Sequence, residues 1–527
     1  MRLLSSHPRW TALGLGIVAA TGFEPLHLWP LTLLAVAGLI ELLARAPGWK
    51  RAAMLGWLFG LGHFALGNNW IATAFTYQAQ MPPWLGWIAV VGLACYLAIY
   101  PALATCAAWL LTRTGGLRHV GVALAGTWII TEWLRAWVFT GFAWNPLGAV
   151  LLGGFASPGL AIVTPLTGTY GLSGIAIVLA TLVRNLADAG LMSGPKPPRS
   201  AIVFASAALA GVGLLAAWPH GVGGTGKLPF TLVQPDVRQT ELNDPTKFED
   251  QFARTASLSL PRQPGQHRLV LWPESGIPDY LREGYPAEFY QGTTYAADPG
   301  QARARIARII GPGSLLLTGA VDLELNGNTV TGARNSVTAI ADDGAIRASY
   351  AKAHLVPGGE YLPLRFLMEP LGASRLVAGA LDFIPGPGPQ TLNLGAWGKA
   401  GVQICYEIVF SGEVVDRANR PDFLFNPSND GWFGAWGPPQ HLAQARLRAI
   451  EEGLPVLRAT TTGISAVIDA DGIVRQHIGR LRPGRLDGLV PPAHRPTLFA
   501  RLGNVLPLGW ALALVVLSLV ASRRRPR

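Results

Sequence analysis

Residues 1–218 are a nearly unbroken string of apolar segments, and that pattern limits the fold more than anything else in the chain. The segments lie at 10–24, 28–44, 52–74, 84–112, 119–138, 158–183 and 200–218, and one more follows at 505–521. A helix needs about 20 apolar residues to cross a bilayer. Most of these segments qualify; the first is short, and the fourth is long enough to tilt. Composition agrees: half of the 527 residues are hydrophobic and only 14% are charged, against roughly 25% in soluble domains. The expected fold class is a membrane α-helical bundle of about eight spans, seven plus one, carrying an inserted α/β domain.

The gaps between segments test this reading. Lys and Arg fall before the first span and after spans two, four, six and eight; the gaps after spans one, three and five hold none. That alternation is the positive-inside pattern. It predicts both termini in the cytoplasm and residues 219–503 on the opposite side. The net charge of +11 therefore points to membrane topology; its Lys and Arg form no single patch interleaved with aromatics, so nucleic acid is not expected as a partner. Small Ala19 and Ala20 resemble a signal cleavage site, but another span follows at once, which favours an uncleaved anchor.

Three regions follow: a transmembrane domain over 1–218, a soluble-type catalytic domain over 219–503, and a last helix with a basic tail over 504–527. The middle region opens after a glycine-rich linker, "HGVGGTGK". "NSVTAIADDGAIRASYAK" and "ISAVIDADGIVRQHI" each place Asp-Gly between two alternating strands, a hairpin signal. "QHLAQARLRAIEEG", 440–453, predicts a helix with prolines before it and glycine to stop it. The three cysteines, Cys95, Cys106 and Cys405, are not spaced as a disulfide framework. Cys and His form no cluster with metal-ligand spacing, so neither metal nor cofactor is expected.

Three expected strand ends carry chemistry. In "HRLVLWPESGIPDY" proline stops a strand and Glu274 follows. In "IRASYAKAHLVPGGEYLP" a strand carries Lys352, and Glu360 comes after a Pro-Gly-Gly turn. In "AGVQICYEIVF" an apolar run ends on Cys405, Tyr406 and Glu407. Taken singly these have plain readings: a solvated loop carboxylate, an edge lysine guarding against aggregation, a buried structural thiol. Taken together they form an acyl-transfer set. A thiolate is the nucleophile that a thiol is not. A carboxylate can take the proton, and a lysine can stabilise an oxyanion. A second carboxylate, such as Glu360, can hold that lysine charged and in place.

The order Glu274, Lys352, Cys405 resembles the nitrilase superfamily, with Glu360 matching its second glutamate. "NPSNDGWFG…GPPQHLAQARLRAIEEGLPVLRATTTGISAVID", the membrane stretch "EWLRAWVFTGFAWNPLG" at 132–148, and the seven-plus-one layout together resemble the bacterial apolipoprotein N-acyltransferase family over essentially the whole chain. The resemblance implies an α-β-β-α sandwich in the periplasm, carried on helices in the inner membrane. It implies a cofactor-free, two-step reaction. Cys405 would attack the sn-1 ester of a phospholipid, with phosphatidylethanolamine the expected donor. Glu274 would be the base and Lys352 the oxyanion partner. The α-amine of a diacylglyceryl-cysteine apolipoprotein would then take the acyl chain from the thioester. Tyr406 and Glu407 would help shape the site, and nothing asks for more than a monomer. Asp236, Asn243, Gly358 and Thr461 depart from the family pattern.

Other residues suit lipid substrates. "YLPLRFLMEPLG", 361–372, with Leu362 and Phe366, is a candidate arm facing lipid; its plain alternative is ordinary core. Trp432 and Phe433 are candidates for the mouth of the site. Glu132 and Arg135 share one helix face in the fifth span. They are a candidate headgroup or packing contact, or a pair that neutralises itself. Two other readings compete with acyl transfer to lipoprotein. One is a membrane-tethered amidase acting on small amides. The other is a transporter or lipid-binding protein with an inactive domain, which would have no reason to keep Glu274, Lys352 and Cys405.

Overall fold

The computed structural model describes residues 7–77, 82–114, 119–191, 224–327, 329–368, 370 and 382–523, together with 203, 210, 211 and 213. The chain divides into two compact units. One comprises 1–72, 84–221 and 496–527; the other comprises 73–83 and 222–495.

In the first unit, helices run over Pro8–Ala20, Trp29–Ala44, Trp49–Gly67, Leu85–Leu97, Ile99–Thr112, Val120–Trp137, Thr164–Leu191 and Val505–Arg523. Among the described residues, three stretches are long and apolar enough to cross a membrane: Leu85–Thr112, Leu160–Ala187 and Val505–Arg523. The first two expected spans form helices of 13 and 16 residues, shorter than the about 20 that a straight crossing needs. The third expected span ends at Gly67, with a separate turn at Ile71–Ala74. The expected seventh segment, 200–218, lies mostly outside the described residues.

Glu132 and Arg135 are both buried, and their charges face inward. Glu132 Oε1 accepts from the Leu147 N–H at 2.8 Å, and Oε2 accepts from the Ser173 hydroxyl at 2.5 Å. Arg135 Nη1 donates to the Trp144 carbonyl at 2.8 Å and lies over the Phe64 ring. Between 138 and 163 the chain leaves the α-helix, with only short turns at Leu147–Leu151 and Leu160–Val163. Irregular backbone at membrane depth persists only where protein satisfies its N–H and C=O groups. Glu132 and Arg135 supply two of those partners, at Leu147 N–H and the Trp144 carbonyl.

The second unit is built on two six-stranded sheets. The first has the order β12-β1-β2-β3-β4-β5 and the second β11-β10-β9-β8-β7-β6. In the first sheet β1 (Pro229–Gln234), β2 (Leu269–Leu271) and β3 (Leu315–Asn326) are parallel, while β4 (Thr329–Ala341) and β5 (Ile346–Ala351) form the hairpin turned at Gly344. In the second, β7 (Lys399–Val402), β8 (Phe423–Ser428) and β9 (Val456–Thr460) are parallel. β6 (Thr391–Asn393) and the hairpin of β10 (Ser465–Ile468) with β11 (Val474–Ile478) flank them; β12 (Gly484–Leu489) returns to the first sheet.

The parallel strands are buried along most of their length and mainly apolar, as strands covered on both faces should be, with polar residues such as Gln234, Asn426 and Arg458 among them. One face of the first sheet packs on the helices Phe248–Ser259 and Pro299–Ile310 through Phe252, Val270, Trp272, Ile306 and Leu316. The helix Gly437–Glu452 contacts β9 in the second sheet and ends at Gly453, whose φ of +65° suits glycine. The sheets are joined at the end of β1, where Gln234 Oε1 accepts from Thr460 Oγ1 at 2.9 Å and Ser465 Oγ at 2.6 Å. The layers therefore run helix, sheet, sheet, helix.

Candidate active site

In open sheets with parallel strands, ligands bind beyond the carboxyl ends. Glu274 follows β2, Cys405 follows β7 and Asn429 follows β8, so three parallel strands deliver three side chains to one end of the sandwich. Lys352 follows β5 and is pinned in line by its own N–H, which donates to the Asn335 carbonyl at 2.8 Å. Its Nζ lies 2.9 Å from Glu360 Oε2 and 3.5 Å from Glu274 Oε1. All four of Glu274, Lys352, Glu360 and Cys405 are buried. Glu274 and Glu360 thus both lie within ion-pair distance of the Lys352 charge.

One residue that the sequence reading missed ties the charges together. Asn335, on β4, donates from Nδ2 to Glu274 Oε1 at 2.7 Å and to Glu360 Oε1 at 2.8 Å. The second oxygen of Glu274 accepts the Asn429 backbone N–H at 2.7 Å, and Val356 N–H reaches Glu360 Oε2 at 2.8 Å. Each carboxylate is therefore fixed at both oxygens.

The electrostatics follow from burial and neighbours. Burial works against the Lys352 ammonium, but Glu360 and Glu274 outweigh it and raise its pKa, keeping the side chain cationic. Burial and the Glu274 charge push the Cys405 thiol well above its ordinary value. Lys352 and a hydrogen bond from the Asn429 amide pull the other way and do not overcome it. The balance favours the thiol over the thiolate, so a base within reach is what attack by this sulfur would call for.

Glu407 binds the two strand ends to each other. Its Oε1 accepts from the Tyr350 hydroxyl and the Ala353 N–H, each at 2.7 Å, and its Oε2 from the Ile404 N–H at 2.7 Å. It thus fixes the loop after Lys352 against the turn that begins at Cys405. Tyr406 is buried edge-on to Phe410, whose other neighbour is the stacked His354 ring at 4.2 Å. Asn429 is held in turn by Gln239 at 2.9 Å and by Thr461 Oγ1 at 2.8 Å. Thr461, one of the departures from the family pattern, therefore holds the side chain of the residue whose backbone N–H serves both Glu274 and Cys405.

The mouth residues separate. Trp432 is half-buried and meets the Tyr77 ring edge-on, with centroids 6.0 Å apart. Phe433 is buried against His441, so it packs inside and does not line an opening. Leu362 is half-buried, whereas Phe366 is 80% exposed, on a helical turn Arg365–Met368. Arg365 donates to both carboxylate oxygens of Asp382, at 2.8 and 2.7 Å. Of the expected arm, 361–372, residues 369, 371 and 372 lie outside the described residues. Gly358 has a φ of +75°, and a Cβ there would meet open space. Among the described residues, no group of three or more His, Cys, Asp or Glu could hold a metal ion.

Residues 15–182 match the family described as "Apolipoprotein N-acyltransferase N-terminal domain", and residues 233–483 match "Carbon-nitrogen hydrolase". The apolipoprotein N-acyltransferase of Rhodopseudomonas palustris is 36% identical, over 98% of this chain and 95% of its own length. That of Bradyrhizobium diazoefficiens is 36% identical, over 98% of this chain and 94% of its own. Among solved structures, an amidase from Nesterenkonia sp. aligns with 51% of this chain and 93% of its own at 20% identity, with a TM-score of 0.34.

Proposed function

The chain belongs to the apolipoprotein N-acyltransferase family and N-acylates lipoproteins, and we propose that the acyl chain travels through a thioester on Cys405. In the first half-reaction Glu274 takes the thiol proton as sulfur attacks the sn-1 ester carbonyl of a phospholipid, phosphatidylethanolamine in our reading. Lys352 meets the developing oxyanion. The C–O bond breaks, the departing alkoxide takes the proton from Glu274, and lysophospholipid leaves. In the second half the α-amine of the diacylglyceryl-cysteine attacks the thioester. Its proton passes to Glu274, the C–S bond breaks, and the returning thiolate recovers that proton. No cofactor or metal enters. Glu360 keeps Lys352 in place, while Tyr406 and Glu407 shape the turn.

The observation that carries this reading is the buried Glu274–Asn335–Glu360–Lys352 network at the strand ends beside Cys405. Eight spans in the inner membrane, both termini in the cytoplasm and residues 219–503 in the periplasm complete the proposal, on the alternation of Lys and Arg between apolar segments. In this reading 1–218 and 504–527 carry the spans, the enzyme acts as a monomer, and exposed Phe366 with Leu362 and Trp432 contacts lipid or guards access. The test is intact mass after exposure to phosphatidylethanolamine, with Cys405→Ala beside it. One acyl adduct, removed by neutral hydroxylamine and absent from the control, is expected. No adduct, with hydrolysis of small amides instead, would overturn the thioester scheme in favour of an amidase.

A further inference from the structure

Behind the nucleophile sits a group of buried polar side chains that the acyl-transfer scheme leaves unused. His441 comes from the helix Gly437–Glu452, Asp430 from the turn after β8, and Arg458 from β9. All three side chains are fully buried. Arg458 Nη2 donates to both Asp430 oxygens, at 2.9 and 2.7 Å, and Nη1 donates to Ser428 Oγ at 2.9 Å. His441 Nδ1 lies 3.0 Å from Arg458 Nη2 and 3.0 Å from Asp430 Oδ1. His441 Nε2 lies 2.9 Å from the carbonyl oxygen of Cys405.

The tautomer follows from these neighbours. Burial and the Arg458 charge hold His441 below its ordinary pKa, against the pull of Asp430. A neutral imidazole donates from one nitrogen only, and Arg458 can only donate. Nε2 faces the Cys405 carbonyl, which can only accept, so Nε2 carries the hydrogen and donates to it, while Nδ1 stands between the Arg458 donor and the Asp430 Oδ1 acceptor. That carbonyl belongs to a residue with φ of +51°, a left-handed backbone that side chains other than glycine rarely adopt. A second donor, Asn426 Nδ2, is 2.6 Å from the Gln403 carbonyl and 3.5 Å from that of Cys405.

We propose that His441 is a positioning residue for acyl transfer: its Nε2–H, braced by Asp430 and Arg458, holds the Cys405 peptide in the left-handed turn that aims the thiol. This rests on Cys405 being the nucleophile. The ion pair of Asp430 with Arg458 fixes the imidazole; the imidazole fixes the backbone; the backbone fixes the sulfur. A purely structural role, clamping the helix to the sheet, would need the ring's volume but not its N–H.

A matched pair of variants separates the two. His441→Gln keeps an N–H near the Nε2 position; His441→Met keeps similar bulk without a donor. Single-turnover acylation of the full chain is followed by mass in mixed micelles, over a range of phosphatidylethanolamine concentrations, beside thermal melting. For Met the expected result is a maximal rate lower by about 10- to 100-fold with half-saturating donor unchanged, while Gln stays within about threefold of the parent. Equal rates for Met and parent overturn the proposal, as does an equal fall in Met and Gln. Should the Met chain not fold, Gln decides alone: a rate within about threefold supports the proposal, and a larger fall at an unchanged melting midpoint overturns it. If the parent itself forms no adduct, the nucleophile assignment fails instead, so the two failures are distinguishable.

Discussion

Asn335→Leu removes a side chain that touches neither the thiol nor any expected substrate atom, yet it should cripple the enzyme. Asn335 Nδ2 uses one N–H on Glu274 and the other on Glu360, at 2.7 and 2.8 Å. Leucine has nearly the same shape and no donor. Hydrogen bonds to charged groups contribute about 1.5–3 kcal/mol each. Losing one at the lower figure costs roughly tenfold in rate, and losing both costs on the order of a hundredfold, at about 1.4 kcal/mol per tenfold. The two bonds share one nitrogen, so the effect lies between these limits. Glu274 Oε1 would retain only Lys352, at 3.5 Å, and the base would lose its aim. Asn335→Asp tests the electrostatic half of the argument, because it sets a third carboxylate among two and a single lysine, where like charges force one group to hold a proton. The assay is single-turnover acylation by intact mass, with thermal melting and small-reagent alkylation of Cys405 alongside. A Leu variant that keeps its midpoint and acylates within about threefold of the parent would refute the reasoning; so would an Asp variant as fast as the parent.

Glu407→Gln puts an amide N–H where Ile404 N–H or the Tyr350 and Ala353 donors now point; acylation should fall at least about tenfold and the melting midpoint should drop. Burial and the neighbouring Glu451 charge push Glu452 up to about 7, with Arg420 opposing them. The folded state then binds that proton more tightly than the unfolded chain, so stability is greatest below the ordinary carboxylate range and is lost as pH rises through about 7. The shift amounts to about 3 kcal/mol, so Glu452→Gln should raise the melting midpoint at pH 8 and leave it nearly unchanged at pH 4; equal effects at both pH values would contradict the linkage. Glu132→Ala strands the Leu147 N–H and removes the acceptor of the Ser173 hydroxyl bond and should lower the midpoint in detergent by several degrees, at a cost of about 1–3 kcal/mol for the buried N–H left unpaired. Phe366→Asp should slow acylation from phospholipid while alkylation of Cys405 by a small reagent stays at the parental rate; a parallel fall in both would mean that Phe366 is not at the lipid contact.

The hairpins and the helix that position the site were readable because each has a local cause. Asp-Asp-Gly and Ala-Asp-Gly turn β4 into β5 and β10 into β11, and Gly453 stops the helix after Glu452. Glu274, Lys352 and Cys405 stood out for the same reason, as reactive side chains where an apolar run stops. Asn335 did not, because it lies inside a strand among residues of mixed polarity, and its meaning comes from Glu274 and Glu360, respectively 61 and 25 positions away. His441 looked like one more polar residue in a helix pattern; only the packing of that helix against β9 and the turn Cys405–Val409 turns it onto the Cys405 carbonyl. Phe433 was expected at an opening because it is aromatic beside Trp432, but adjacent residues in a turn point differently, and Phe433 went inward. Helix lengths in the first unit were overestimated where hydropathy continued through Gly67, since the backbone there breaks while the composition does not.

The site's charges also decide how the nucleophile is switched on. A free lysine beside Cys405 would hold a standing thiolate, open to oxidation and to water-borne electrophiles. Lys352 is not free: two carboxylates lie within 3.5 Å of its ammonium. Their charges offset its pull on the sulfur, and burial favours the protonated thiol. In the proposed scheme activation then waits for the donor, because proton transfer to Glu274 gains only when a carbonyl carbon is in reach to accept the sulfur's electrons. Asn335 makes that arrangement possible by keeping Glu274 and Glu360 apart and oriented, and the backbone of Cys405, set by its φ of +51°, decides where the carbonyl must stand. Chemistry of this kind depends on geometry more than on any one group's acidity, so the residues that hold the turn and the carboxylates matter as much to the rate as those that exchange protons.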